Sequence, residues 1–141
     1  MFFQYETPRL LLKVLRADCA PQVLDFYNRD KELFEMYEID RVPDFYTVKH
    51  LQKVLRYEYN MAVKSQLFRF YVFQKENPCR IIGTVCIHNI APAFYGSCEI
   101  GYKFSSEFHH MGYATEAVGF CTKLAFNAVS YTHLRAHETR H

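Results

Sequence analysis

The last five residues of the chain contain a pattern of the kind that binds catalytic zinc. They read HETRH, residues 137–141, and match H-E-x-x-H, in which two histidines on one helical face hold the metal and the glutamate acts as a general base. His133 extends the same four-residue spacing. A zinc site of this type also needs a third protein ligand, usually downstream of the motif, and no residue follows His141. We therefore predict that the protein binds no metal.

A second stretch, HHMGYATEA at residues 109–117, could bind an anion. Gly112 stands where a helical pattern begins, and the first turn of a helix exposes unpaired N–H groups at the positive end of its dipole. A glycine there lets ligand atoms approach the main chain closely. We predict that the amides from His110 to Thr115, with the Thr115 hydroxyl, can cradle a pyrophosphate. A single glycine at a helix start more often marks a simple tight turn, so the pattern alone does not establish an anion site.

The hydrophobic pattern predicts the elements that would position these residues. Asp18 could cap a first helix with Pro21 in its first turn, and Thr47 could cap a longer one. Between them, residues 28–46 are predicted to be irregular or broken helix. The remaining segments are predicted strands at 9–16, 68–74, 80–90 and 97–104, and a last helix from 114 to 125. This order predicts an α/β or α+β layer fold.

Composition restricts the class of protein. A chain of 141 residues, half of them hydrophobic, is long enough for one domain with a core. A formal charge of +2 gives no support to nucleic-acid binding. The five cysteines form no C-x-x-C pair, so we interpret them as reduced, buried side chains. No secretory signal and no apolar run of membrane-spanning length is present, which predicts a cytoplasmic protein.

The stretch FHHMGYATEA resembles the acetyl-CoA signature Q/R-x-x-G-x-G/A of the GNAT N-acetyltransferases, with Gly112 and Ala114 at the two small positions. Four further stretches resemble the RimJ/RimL type of this family, whose members acetylate α-amino groups of ribosomal proteins: ETPRLLLKVLRADCAPQVLDFYN, RIIGTVCIHNI, EIGYKFSSEF and GYATEAVGF. The resemblance covers residues 6 to 127 in the expected order. The sequence departs from the pattern at His109, where Gln or Arg is usual, and at Met111, a commonly basic position.

The resemblance implies a GNAT acyl-CoA N-acyltransferase fold, α/β (α+β), with a mixed central sheet flanked by helices. It implies acetyl-CoA as co-substrate, with no metal. The strand at 97–104 would lie along the pantetheine arm and bind it through main-chain groups. The implied cofactor-binding residues are Tyr102, Phe104, His109, His110, Met111, Gly112, Tyr113, Ala114 and Thr115.

The same strand supplies the candidate for the chemical step. Its alternation places Cys98, Ile100, Tyr102 and Phe104 on one face and Ser97, Glu99, Gly101 and Lys103 on the other. Acyl transfer to an amine needs a base, a donor for the oxyanion and a proton for the leaving thiolate. We predict Glu99 as the base, directly or through water, with His88 and Asn89 as weaker alternatives. The donor would be an amide near Gly101 or Tyr102.

The acceptor implied by the resemblance is a primary amine, first of all a protein N-terminal α-amine. A small-molecule amine, an aminoglycoside or polyamine, is the alternative. The acidic and aromatic stretch at residues 32–46 could line the acceptor channel, where Glu35, Glu38 and Asp40 would attract an ammonium group, or could be a solvated surface loop.

The C-terminal residues 129–141 differ in character from the rest. Val129 through Thr139 equals the in-frame translation of a transposon-library sequencing adapter, so we interpret 129–141 as a non-native tail and the H-E-x-x-H match as a product of DNA handling. Residues 1–128 would then be the N-terminal portion of a GNAT domain, a truncated fragment without its C-terminal strands and helix. An inactive CoA-binding fragment is therefore a further alternative.

Overall fold

Five strands form one sheet in chain order in the computed structural model, which describes residues 1–36, 44–90 and 97–130. Four helices accompany them. The strands are β1 (Gln4–Glu6), β2 (Leu10–Lys13), β3 (Phe68–Gln74), β4 (Asn77–His88) and β5 (Glu99–Phe104); the helices are α1 (Ala20–Arg29), α2 (Lys31–Glu35), α3 (Val48–Val63) and α4 (Tyr113–Ser130). Two 3-10 turns, Ala17–Cys19 and Ser106–Phe108, precede α1 and α4.

The predicted elements are present, with two differences at the N-terminus. β1 was not predicted, and it pairs with β2 through Tyr5 and Leu12. The predicted Asp18 cap is wrong, because Asp18 lies inside the 3-10 turn and the residue before α1 is Cys19, whose side chain makes no capping bond. The Thr47 cap is confirmed, since its hydroxyl accepts a hydrogen bond from the His50 amide at 3.1 Å.

The α/β class is confirmed, and each of the four strand pairings among the described residues is antiparallel. The parallel pairing that a mixed sheet contains is therefore not among them. β4 and β5 are aligned so that Gly83 faces Phe104 and His88 faces Glu99. A Cβ at Gly83 would lie 2.4 Å from the Phe104 ring, so only glycine leaves room for that ring.

Helices cover both faces of the sheet. α4 packs on one face through Ala117, Cys121 and Ala125, and the other face packs against α1, α2 and α3. On β5, the predicted alternation is confirmed for Ile100 and Phe104, which are buried beneath α4. The four helices and the sheet thus form two hydrophobic clusters.

The predicted polar face of β5 is partly covered. Lys103 lies on the α1–α2 side, with its Nζ 5.4 Å from the ring centroid of Tyr27 and 5.7 Å from that of Phe34. Burial against these rings lowers the pKa of Lys103 to about 8. This half of the face is therefore a packing surface rather than a solvated one.

A partly buried ion pair joins α3 to the sheet. The Nε atom of Arg69 lies 2.7 Å from Oε2 of Glu58, and the Tyr71 hydroxyl donates to Oε1 of the same carboxylate at 2.8 Å. Burial raises the pKa of the Glu58 carboxyl, and Arg69 and Tyr71 oppose that rise. Removing one partner would leave the other charge without compensation in the interior.

The cysteine prediction is correct for three of the five residues. Cys86, Cys98 and Cys121 are buried, whereas Cys19 is intermediate and Cys79 is exposed, and all five are free thiols. Among the described residues, no helix is long and apolar enough to cross a bilayer. In the same part of the chain, no group of three or more potential metal ligands occurs. The His133, His137 and His141 pattern lies outside the described residues.

Candidate active site

The connector between β5 and α4, residues 105–112, leaves the sheet in a defined direction. The Ser105 amide donates to the Ile82 carbonyl at 2.9 Å and so extends the β4–β5 ladder by one bond. A 3-10 turn follows, and the His109 amide closes it on the Ser106 carbonyl at 3.1 Å. A ring N–H of His109 then donates to the Phe104 carbonyl at 2.9 Å. His109 stands where the Q/R-x-x-G-x-G/A signature has Gln or Arg, and its side chain bonds to the protein's own main chain.

The main chain just before α4 alternates in handedness. His110 has φ +65° and Gly112 has φ +81°, both in the left-handed region that non-glycine residues rarely adopt. Alternation of this kind turns successive N–H groups toward one point and forms an anion-binding concavity. The first helical bond runs from the Glu116 amide to the Gly112 carbonyl at 3.0 Å, so the amides of Tyr113 to Thr115 precede the helical ladder.

Gly112 suits this turn because a side chain would be strained at its φ. A Cβ there would also lie 3.3 Å from the Nη2 atom of Arg9, which is the movable end of a long side chain. The predicted cradle residues from His109 to Gly112 are exposed, so the concavity opens to solvent.

A cluster that the sequence did not indicate holds the start of α4. Glu116 accepts three hydrogen bonds: from the Thr7 hydroxyl at 2.6 Å, from the Arg9 amide at 2.9 Å and from the Arg9 Nε at 2.6 Å. Arg9 also donates from Nη1 to the Met111 carbonyl at 3.1 Å, and its guanidinium lies over the Tyr113 ring at 4.4 Å. The N-terminal segment therefore fixes both sides of the Gly112 turn.

The electrostatics of this cluster favour an ionised Glu116. Burial opposes ionisation, but the hydrogen bonds from Thr7 and Arg9 outweigh it and lower the pKa of the carboxyl. A carboxylate in the first turn also interacts favourably with the helix dipole. Arg9, 46% exposed in its side chain, places a cation beside the amides that precede α4.

A groove of about 320 Å³ runs between β5 and α4, next to the turn. It is lined by Tyr102, Ala114, Thr115, Val118 and Gly119. Tyr102 shares the α4 face of β5 but remains 44% exposed, because small residues of α4 face it across the groove. The Phe104 side chain is buried, so only its main chain could face a ligand. Among the described strands, β5 pairs with β4 alone, which leaves its other edge to the groove side.

The three predicted base candidates lie together at the opposite end of β5. Glu99 faces His88 across the β4–β5 pairing, and its Oε2 atom is 3.7 Å from the His88 Nδ1. The same oxygen accepts a hydrogen bond from Nδ2 of Asn89 at 2.6 Å, and Asn89 adopts φ +49°. The Glu99 side chain is half exposed. A carboxylate that is oriented by one amide and open to solvent can accept a proton from an incoming amine.

A profile described as an acetyltransferase (GNAT) domain matches residues 9–139. The chain belongs to the GNAT acetyltransferase family. A relative, "Probable N-acetyltransferase YjcK" of Bacillus subtilis (strain 168), is 24% identical over 127 residues, which are 90% of this chain and 70% of that protein. The GNAT resemblance found in the sequence is thereby confirmed.

Solved structures show the same GNAT fold. The ribosomal-protein-S5-alanine acetyltransferase from Vibrio fischeri superposes with a TM-score of 0.79 at 22% identity, covering 89% of this chain and 68% of that one. Mycobacterium smegmatis RimJ in complex with CoA-disulfide gives a TM-score of 0.74 at 19% identity, covering 86% of this chain and 58% of that one. At these identities the likeness establishes the fold, and RimJ/RimL-type acetyltransferases are structural neighbours, as the sequence predicted.

Proposed function

We propose that this GNAT protein transfers the acetyl group of acetyl-CoA to a primary amine, and that its acceptor is a protein N-terminal α-amine. The observation that carries the proposal is the turn before α4, with positive φ at His110 and Gly112 and the unbonded first amides of the helix behind it. Main-chain N–H groups that converge on one point can bind a pyrophosphate. Such binding does not depend on the side chains of His109 and Met111.

The proposed cofactor site continues from that turn into the groove. Amides from His110 to Thr115 would hold the pyrophosphate, with Arg9 as a neighbouring cation. Main-chain groups of Tyr102 and Phe104 would face the pantetheine arm along the edge of β5 that no described strand pairs with. Acetyl-CoA supplies an activated acyl group as its thioester.

The chain's own part in the chemistry is proton transfer and placement of the amine. Glu99 takes a proton from the incoming ammonium group, and Asn89 fixes which way its carboxylate points. An ammonium group is also attracted to this carboxylate before it is deprotonated. An amide near Gly101 or Tyr102 would donate to the oxyanion of the tetrahedral intermediate. As that intermediate collapses, the C–S bond breaks, the amide C–N bond remains, and CoA leaves as a thiolate that takes its proton from solvent.

A protein acceptor is supported by the structural neighbours, which include acetyltransferases named for ribosomal proteins S5 and L7/L12. Of the three acidic residues predicted to attract the amine, Glu35 is exposed at the end of α2, and Glu38 and Asp40 lie outside the described residues. An exposed carboxylate close to the acceptor entrance raises the local concentration of ammonium groups.

The cofactor site is tested with Gly112→Phe. Binding of CoA to the purified chain is measured by calorimetry, and we expect Gly112→Phe to abolish it, because the ring fills the turn and the residue is strained at φ +81°. Ser65→Phe is the matched control: Ser65 is an exposed residue with φ +57° in the turn after α3, and it does not line the groove beside α4. Unchanged affinity in Gly112→Phe, or no CoA binding by the unaltered chain, would overturn the cradle.

The acceptor class is tested by mass spectrometry of peptides incubated with the protein and acetyl-CoA. We expect one added acetyl group on a peptide with a free N-terminal amine, and none when that amine is blocked and a lysine is left free. Acetylation of spermine or an aminoglycoside, but not of the peptide, would replace the protein acceptor with a small-molecule one. CoA binding without transfer to any amine would favour a non-catalytic CoA-binding chain.

A further inference from the structure

The end of α1 is hydrogen-bonded to the start of the connector. The residues involved are Arg29 and Asp30 on one side, and Ser105 and Ser106 on the other. Oδ2 of Asp30 accepts from the Ser106 amide at 2.8 Å, and Oδ1 accepts from the Ser106 hydroxyl at 2.7 Å. The neighbouring Arg29 donates from Nη1 to the Ser105 hydroxyl at 3.3 Å. The pairs are 76 residues apart in the chain, so the contact joins two separate parts of the fold.

Asp30 occupies the N-cap position of α2, where an aspartate side chain ordinarily accepts from its own helix. Here the side chain makes no such bond, and both oxygens are used on Ser106 instead. These two bonds cap the 3-10 turn Ser106–Phe108, whose own N-cap residue, Ser105, contributes no side-chain bond. A hydrogen bond to a charged acceptor is stronger than a neutral one.

Arg29 extends the same attachment to the sheet. Its Nη2 atom donates to the Ile81 carbonyl at 2.7 Å, and its Nε pairs with Asp25 one turn earlier in α1 at 3.1 Å. The side chain of Arg29 is only 19% exposed, and Ser105 is fully buried. The junction of α1 and α2 is therefore bonded at once to β4 and to the first residues of the connector.

The connector is thus held at its two ends by different parts of the protein. Arg29 and Asp30 hold its beginning, and Arg9 holds its end through the Met111 carbonyl. Between these anchors lie the exposed residues 109 to 112, which contain both positive φ angles. A strained, exposed turn keeps its shape only when the structure around it determines its ends.

We propose that Asp30 is a positioning residue for acetyl-CoA: by capping the Ser106 turn it sets the direction in which the connector reaches α4, and so preorganises the amides that bind the pyrophosphate. The inference rests on the proposed function of those amides.

The test compares CoA binding to the full chain and to Asp30→Ala, Asp30→Asn and Asp18→Ala. Alanine removes both bonds to Ser106. Asparagine retains them, since its Oδ1 can accept from the amide and its Nδ2 can donate to the hydroxyl. We expect Asp30→Ala to weaken CoA binding by roughly tenfold, and Asp30→Asn to restore most of the affinity. Asp18→Ala removes an exposed carboxylate at the other end of α1 and should bind as the unaltered chain does.

Two further readouts separate positioning from mere stability. Thermal unfolding is recorded for each variant, and binding is measured well below every midpoint. In the steady state, the KM for acetyl-CoA should rise in Asp30→Ala while kcat at saturating acetyl-CoA changes little, because Asp30 does not touch the reacting atoms. A lower unfolding midpoint with unchanged CoA affinity would overturn the proposal for Asp30 and leave the cradle standing. Failure of the unaltered chain to bind CoA would overturn both.

Discussion

Replacing Glu116 with glutamine should destabilise the protein measurably, although the two side chains have the same shape. Glu116 accepts from the Thr7 hydroxyl, the Arg9 amide and the Arg9 Nε, and its side chain is only 16% exposed. A glutamine would place an NH₂ group against at least one of these donors and would lose the charge that strengthens the other bonds.

The size of the effect follows from which bonds are shielded from water. The contact with the Arg9 guanidinium counts for little, because that side chain is nearly half exposed. The Thr7 hydroxyl and the Arg9 amide both donate to Oε2, so the carbonyl oxygen of a glutamine can keep these two bonds in weaker, uncharged form. Its NH₂ group then faces the Arg9 Nε, which loses its acceptor, and the total loss is about 1 kcal/mol. For a chain of 141 residues, this corresponds to a fall in the unfolding midpoint of about 3 °C.

The assay is urea unfolding followed by circular dichroism at neutral and acidic pH. The pKa of Glu116 is lower in the folded protein than its ordinary value of 4.5. The stability it contributes is therefore fully present above pH 4.5 and is lost as the pH falls through the folded pKa. Glutamine does not titrate, so the difference in the free energy of unfolding between the unaltered chain and Glu116→Gln should shrink on acidification.

The matched control is Glu76→Gln, which changes an exposed carboxylate in the β3–β4 turn and should alter stability by less than about 0.5 kcal/mol. If Glu116→Gln unfolds at the same urea concentration as this control, the three bonds to Glu116 do not hold α4 as described. A difference that stays constant from neutral pH to about pH 3 would likewise refute the role of the carboxylate charge.

Three further predictions concern other parts of the chain. Glu99→Gln should lower kcat by about a hundredfold with little change in the KM for acetyl-CoA, because a general base is lost. Both constants are obtained from initial rates, and an unchanged kcat would exclude Glu99 as the base. Glu58→Ala should cost about 3 kcal/mol in urea unfolding, because it leaves the buried Tyr71 hydroxyl without its acceptor and the partly buried Arg69 without its counter-charge. A cost below about 1 kcal/mol would contradict this account. Removing residues 129–141, which include the last two residues of α4, should leave CoA affinity unchanged by calorimetry and should cost no more helix than those two residues by circular dichroism. A larger loss of helix, or a loss of affinity, would contradict the interpretation of these residues as a non-native tail.

Local patterns predicted most of the elements because each depends on neighbours in the sequence. The period-two runs of β3, β4 and β5 and the cap at Thr47 are of this kind. β1 was missed because three residues are too few to show an alternation. The Asp18 cap failed because a 3-10 turn takes up that residue before α1 begins.

The candidate site was only partly predictable for a similar reason. Gly112 could be predicted from the sequence, since a glycine at the start of a helix can be recognised from its neighbouring residues. The partners of the turn could not, because Arg9 and Glu116 are 107 residues apart and Asp30 and Ser106 are 76 apart. Only the folded chain brings such residues together, and the hydrophobic periodicity of the sequence does not indicate that they will be in contact.

The fit of the Phe104 ring over Gly83 restricts how β5 can be aligned. Sliding β5 by two residues along β4 would set the ring against a residue with a Cβ, where there is no space for it, and sliding by one would turn Ile100 out of the core. One alignment therefore satisfies both the glycine and the core. Glu99 and Tyr102 lie on the same strand. The absence of a Cβ at Gly83 therefore determines the positions of both residues relative to the start of α4.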